Sequence, residues 1–170
     1  KTVYYSVQDS ETLRSFRIFK HIIGTPSHSD ELIFEEKDET FNCQISKTKS
    51  LKYLVIESES TLSSESLILD ADNPSSNFRV FAPRENNHEY SIDHLGDKFY
   101  IITNYQAKNF RLMESGLDAV SKNDWKEIIP HRTEVLLEGI ELFSKFYVLS
   151  ERINGLPALR IRKWSGEDHL

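Results

Sequence analysis

The chain has 170 residues, 38% of them hydrophobic and 11% aromatic, and a formal net charge of −6. No apolar run approaches the ~18–20 residues of a membrane span, no charged-then-apolar leader opens the chain, and an acidic balance without a basic stripe argues against nucleic acid as a partner. Five Pro and six Gly among many aromatic and β-branched residues exclude a disordered chain, and the single Cys43 excludes an internal disulfide and a multi-cysteine zinc site.

Residues 1–38 predict three strands, with VYYSVQD near the start and ELIFEE at the end. Residues 39–85 predict four: FNCQIS, KYLVIES, SLILDA and FRVFA. Polar turns separate them at Lys47-Thr48-Lys49-Ser50, at Ser58 to Ser64 and at Asp72-Asn73-Pro74-Ser75-Ser76. Residues 86–132 predict four more, at 88–94, 99–104, 109–115 and 125–129, with breaks at Gly96-Asp97 and at Ser121 to Asp124. Residues 133–170 predict three. The segment 134–143 (EVLLEGIELF) imitates a helix turn or two, but its place in the repeat assigns it to a strand.

That repeat has a period of 47. Tyr53, Tyr100 and Tyr147 follow it, as do Phe34, Phe81 and Ile128, and Pro83 with Pro130 and Ile45 with Ile92 keep the register. Tyr5 extends the tyrosine series backwards with a step of 48. Four short antiparallel strands per ~40–50 residues describe the blade of a β-propeller. The fold class is therefore all-β: a partial propeller of about 3.6 four-stranded blades. Its units are an incomplete blade (1–38), two blades (39–85 and 86–132) and a second incomplete blade (133–170). The Trp-Asp of WD repeats and the Gly-Gly of kelch repeats are absent. A β-sandwich has a similar strand count but does not explain the period.

Little catalytic chemistry is visible. The six glycines never form the Gly-x-Ser-x-Gly elbow of a serine hydrolase or a phosphate-cradling loop. His88 and His94, six apart, face one side of a strand as ordinary polar residues, without a third ligand at metal spacing. Cys43, within a strand, reads as a buried, inert thiol. The run Glu35-Glu36-Lys37-Asp38-Glu39 lacks calcium-loop spacing and reads as a solvated link between blades. Asn104, Asn109 and Arg111 read as residues that order the loop between the second and third strands. No catalytic, cofactor or metal-binding residue is assigned.

FKHIIGTPSHSDELIFEEKDETF (19–41) resembles the propeller of the prolyl oligopeptidase family, and more narrowly its oligopeptidase B (protease II) branch. His21, Gly24, Thr25, Asp30, Phe34, Glu35, Glu36 and Asp38 carry the likeness. It continues through SKTKSLKYL (46–54), FRVFAPRENNHEYSIDH (78–94) and GDKFYIITNYQAKNFRL (96–112), and ends with residues 125–160. The resemblance implies a seven-bladed propeller capping an α/β-hydrolase domain whose Ser-Asp-His triad lies C-terminal to the propeller, outside this chain. It implies peptide substrates limited by size, cleavage after Lys or Arg, and no cofactor. It also implies that the first strand of each blade lines the channel, here residues 41–46, 88–94 and 135–141. His131, Arg132, Glu151 and Arg152 are the candidate contacts between domains, against ordinary salt bridging within blade loops.

The partners so expected are peptide substrates and the hydrolase domain of the same parent chain, with no nucleic acid and no membrane. Uncovered lateral faces of an open arc invite self-association. A protein-binding scaffold is the alternative function, since fold does not dictate function. The expected compartment is the bacterial cytoplasm, with the periplasm open. The start at Lys1, without Met, reads as a piece cut from a longer protein.

Overall fold

A computed structural model describes residues 1–118 and 121–169. It holds fifteen strands in four antiparallel sheets, taken in chain order. The first sheet has β1 (Thr2–Gln8), β2 (Ser15–Ile22) and β3 (Glu31–Glu35). The second has β4 (Asn42–Lys47), β5 (Tyr53–Glu59), β6 (Ser64–Asp70) and β7 (Arg79–Ala82). The third has β8 (Tyr90–Leu95), β9 (Lys98–Thr103), β10 (Arg111–Gly116) and β11 (Lys126–Ile129). The fourth has β12 (Val135–Leu142), β13 (Phe146–Ile153), β14 (Leu156–Lys163) and β15 (Asp168–His169). Each sheet is a plain meander, so neighbours in sequence are neighbours in space. Among the described residues no helix is long and apolar enough to cross a membrane.

The fourth sheet corrects the sequence reading. Residues 133–170 carry four strands rather than three, because Asp168–His169 pairs with Arg162 and Ile161. The first sheet has three, as read. Tyr5 places β1 with β5, β9 and β13, so β1–β3 correspond to the second to fourth strands of the later sheets.

The core lies between sheets rather than inside them. β9 shows why its sequence is an unbroken apolar run. Phe99 and Ile101 point one way and pack on Val55, Ile68 and Phe81 of the second sheet. Tyr100 and Ile102 point the other way and pack on Leu137, Tyr147 and Leu149 of the fourth. Side chains alternate along a strand, so a strand buried on both faces needs apolar residues at every position. Ile18, Cys43 and Ile56 fill the interface of the first and second sheets. The outermost sheets have one such interface each. Their other faces leave Val3 and Leu32 at one end, and Leu159 (63% exposed) and Ile161 at the other, uncovered.

Two local devices shape the sheets. The pairing of the last two strands slips at Ile18/Phe19, Ser66/Leu67 and Leu112/Met113, the same place in three successive sheets. Each slip is a bulge that raises the local twist. The β13–β14 hairpin turns on Asn154 and Gly155, both at positive φ (50° and 80°), the type I′ geometry that suits the twist of paired strands.

Candidate functional site

The strands β4, β8 and β12 are the leading edges of their sheets, and they converge. Lys49, in the β4–β5 turn, reaches past the third sheet to pair with Glu141 of β12, and its ammonium lies 4.7 Å from the Phe143 ring centroid. Its backbone N–H donates to Asp93 Oδ1 of β8 at 2.7 Å. Burial and the nearby Glu141 push the Asp93 carboxyl up, despite the N–H groups of Lys49 and His94 that it accepts. Glu57 is pushed up by burial and by the charge of Glu59. This surface holds carboxylates in excess of cations.

The segments assigned by resemblance to the channel contribute these edge strands. Within them the inward side chains are core: Cys43, Tyr90, Ile92, His94 and Leu137 are buried. Cys43 is 1% exposed, and burial together with the Glu36 charge pushes its thiol to about 11.

Of the four residues proposed for contacts between domains, Arg132, Glu151 and Arg152 pair within the fourth sheet and the link before it. Glu151 is fully buried and receives both Arg132 and Arg160. Arg152 pairs with Glu138 at 2.8 Å across the β12–β13 ladder. His131 is half-buried, with an unpartnered Nε2.

The acidic run 35–39 is not simply solvated. Glu35 pairs with Arg17 at 2.7 Å, but Glu36 is only 5% exposed. It accepts from Arg84, Ser58 and the Asp38 backbone N–H. Arg84 also lies 3.6 Å from the Phe41 ring centroid. The buried carboxylate needs those donors, and the chain supplies them from three segments. Asn104 and Asn109 also depart from their expected role. Asn104 donates to Asn87 O and accepts from the Glu89 N–H, while Asn109 donates to the carbonyls of Arg132 and Thr133. They tie their loop to the links on either side of the third sheet. Arg111 pairs with Glu127 of β11.

One arrangement escaped the sequence reading. His21 Nδ1 and the Tyr5 hydroxyl both lie 2.7 Å from Asp30, which bridges β1 and β2 from the start of β3 and is held below the usual carboxylate range by the His21 hydrogen bond. The spacing of these residues gave no hint of a network, because strand pairing brings them together. Among the described residues no three His, Cys, Asp or Glu side chains form a metal cluster.

His88 and His94 are buried in aromatic surroundings rather than displayed. His94 lies 4.8 Å from Tyr53 and 4.9 Å from Phe99. Its Nδ1 shares a hydrogen bond with Ser50 Oγ at 2.7 Å, and Nε2 has no partner. Burial first, then Lys52, holds its pKa below the usual value, against a weaker upward pull from Asp97. The unfolded chain therefore binds the proton more readily as pH falls through about 6.5. Stability is complete above that range and is lost as pH falls from it towards the folded value. The urea midpoint is expected to drop between pH 7.5 and 5.5, and His94→Gln to reduce that drop. An equal drop in the variant would remove His94 as its source.

These sheets, stacked face to face with meandering strands and converging leading edges, define an arc of a β-propeller. The family model for the prolyl oligopeptidase N-terminal β-propeller domain matches residues 1–169. The chain belongs to that family. It is 42% identical over 167 residues to dipeptidyl aminopeptidase BI of Pseudoxanthomonas mexicana, covering 98% of this chain and 23% of the relative. It is 33% identical over 157 residues to protease 2 of Moraxella lacunata, covering 92% and 22%. Oligopeptidase B of Trypanosoma brucei in its closed form superposes with a TM-score of 0.88 at 28% identity, over 96% of this chain and 23% of that one. The chain thus spans about a quarter of the length of these relatives.

Proposed function

We propose that this arc is the non-catalytic part of a serine oligopeptidase of the oligopeptidase B kind, in which it caps the active site and limits substrates to short peptides. In this reading the parent cleaves after Lys or Arg with a Ser-Asp-His triad carried outside the chain. The family match across residues 1–169 supports the reading most. The excess of carboxylates along the converging edges suits the passage of basic peptides. The uncovered outer faces are seats for further blades of the same ring. Pairing of two arcs through those faces is the other way to cover them, and sedimentation at high concentration separates the two.

In the whole peptidase, a short arginine-containing peptide is expected to be cleaved, and the same sequence inside a folded protein to survive. Residues 1–170 alone are expected to leave an arginyl amide intact. Equal cleavage of the free and the folded sequence would overturn the capping role.

A further inference from the structure

A cavity of about 310 Å³ opens where the second, third and fourth sheets meet, at the end of β5 remote from Lys49. Its floor is apolar, formed by Ile102, Phe110 and Leu137. Its rim carries Glu59 from the end of β5, Glu89 from just before β8, and Glu138 from β12.

Glu138 meets the cavity wall at a break in the ladder. The pairing of β12 with β13 slips between Leu137 and Gly139, which leaves Glu138 as the extra residue of a bulge. A bulge re-aims the side chain it carries and is a frequent feature beside binding sites. Leu137 stays packed at 3% exposure while Glu138 stands on the cavity wall. Burial and the Glu89 charge push the Glu59 carboxyl up, so this rim repels itself. Among the described residues, Arg152 is the one cation paired with it.

A small metal ion does not fit this arrangement. The carboxylates stand around an apolar floor and do not form a metal cluster with one another. A long amphipathic cation fits both parts, with its aliphatic stem on the floor and its charged head at the rim. The volume lies at the small end of ligand-sized pockets, enough for one side chain.

We propose that this cavity is a subsite for a single arginine or lysine side chain of an extended peptide. It rests on the oligopeptidase reading only in taking a peptide as the bearer of the cation. The shared chemistry, an organic cation on a stem, could also come from a peptide N-terminus, and the test separates the two.

The probes are acetyl-Gly-Arg-Gly-Gly-amide and its citrulline counterpart, which keeps the length and loses the charge. Titrated into the isotope-labelled 170-residue chain, the arginyl peptide is expected to shift the amide signals of Ser91, Phe110 and Leu137. Citrulline is expected to bind about tenfold or more weakly, and raised salt to weaken the arginyl peptide further. The double variant E59Q/E89Q removes like charges and leaves the fold intact, and it is expected to lose about tenfold in arginyl affinity. Equal binding of the two probes, or binding unchanged in E59Q/E89Q, overturns the subsite. Binding of a free-amine citrulline peptide in place of the blocked arginyl peptide reassigns the cavity to peptide N-termini and overturns the side-chain assignment. Binding is read without turnover. A parent that fails to cleave leaves this result standing, and a cavity that fails to bind leaves the capping role standing.

Discussion

Phe99→Ala is expected to remove about 3–5 kcal/mol of unfolding free energy, the loss typical of truncating a fully buried aromatic side chain. Phe99 is fully buried on β9. Its ring lies 4.9 Å from those of Tyr53 and His94 and 5.1 Å from that of Phe81, so it touches the second sheet at both ends. The neighbours belong to stiff strands that cannot collapse into the void. Total stabilities are of order 5–15 kcal/mol, so the variant sits close to unfolding at room temperature. Phe99→Leu keeps most of the volume and is expected to lose much less. Urea denaturation followed by far-ultraviolet circular dichroism measures both. A loss below about 1 kcal/mol for the alanine variant would mean that the second and third sheets do not share this core.

The second large effect is expected from Arg84→Ala. Breaking one side of a buried ion pair costs about 3–5 kcal/mol, because the remaining charge stays buried without compensation. Glu36 is that charge, and Ser58 loses a neighbour as well. Arg84→Lys is expected to recover little, since an ammonium cannot lie flat on Phe41 while serving the carboxylate and the hydroxyl together. The double change Arg84→Met with Glu36→Gln is expected to be more stable than Arg84→Ala alone. The pH dependence follows from the Glu36 carboxyl. Burial opposes its ionisation, but hydrogen bonds from Arg84 and Ser58 outweigh burial and hold it below the usual value. Its contribution is present above the unfolded carboxylate range and fades as pH falls through the folded value. The penalty of Arg84→Ala is therefore expected to shrink in acid. A penalty that stays constant down to pH 3 would show that Glu36 is not the charge left behind.

The period was legible because stacking repeats the same kind of interface from one sheet to the next. Tyr53, Tyr100 and Tyr147 occupy equivalent strands, and the apolar runs of β5 and β9 betray burial on both faces. The last strand was not legible, because two exposed residues, Asp168 and His169, carry no pattern. Neither were the repeated bulges, which are properties of pairing rather than of composition. The acidic run 35–39 misled for a different reason. Glu36 looks solvated until Arg84, 48 positions away, is brought over it by the next blade. The rim of the cavity was hidden in the same way. Glu59, Glu89 and Glu138 come from three separate segments that only the stacking of the sheets brings together, and the slip in β12 at Glu138 left no mark in the sequence.

The pair between Lys49 and Glu141 joins the second sheet to the fourth, which are not neighbours. Side chains exposed to 38% and 55% form it, and such a pair contributes at most about 1 kcal/mol to folding. What it fixes is a length. It acts as a chord drawn across an arc whose curve the packed interfaces between sheets set. Each blade holds its own strands whether or not the chord is intact. Salt screens an exposed pair, so raised ionic strength is expected to loosen this chord while the packed cores between successive sheets keep the blades in place.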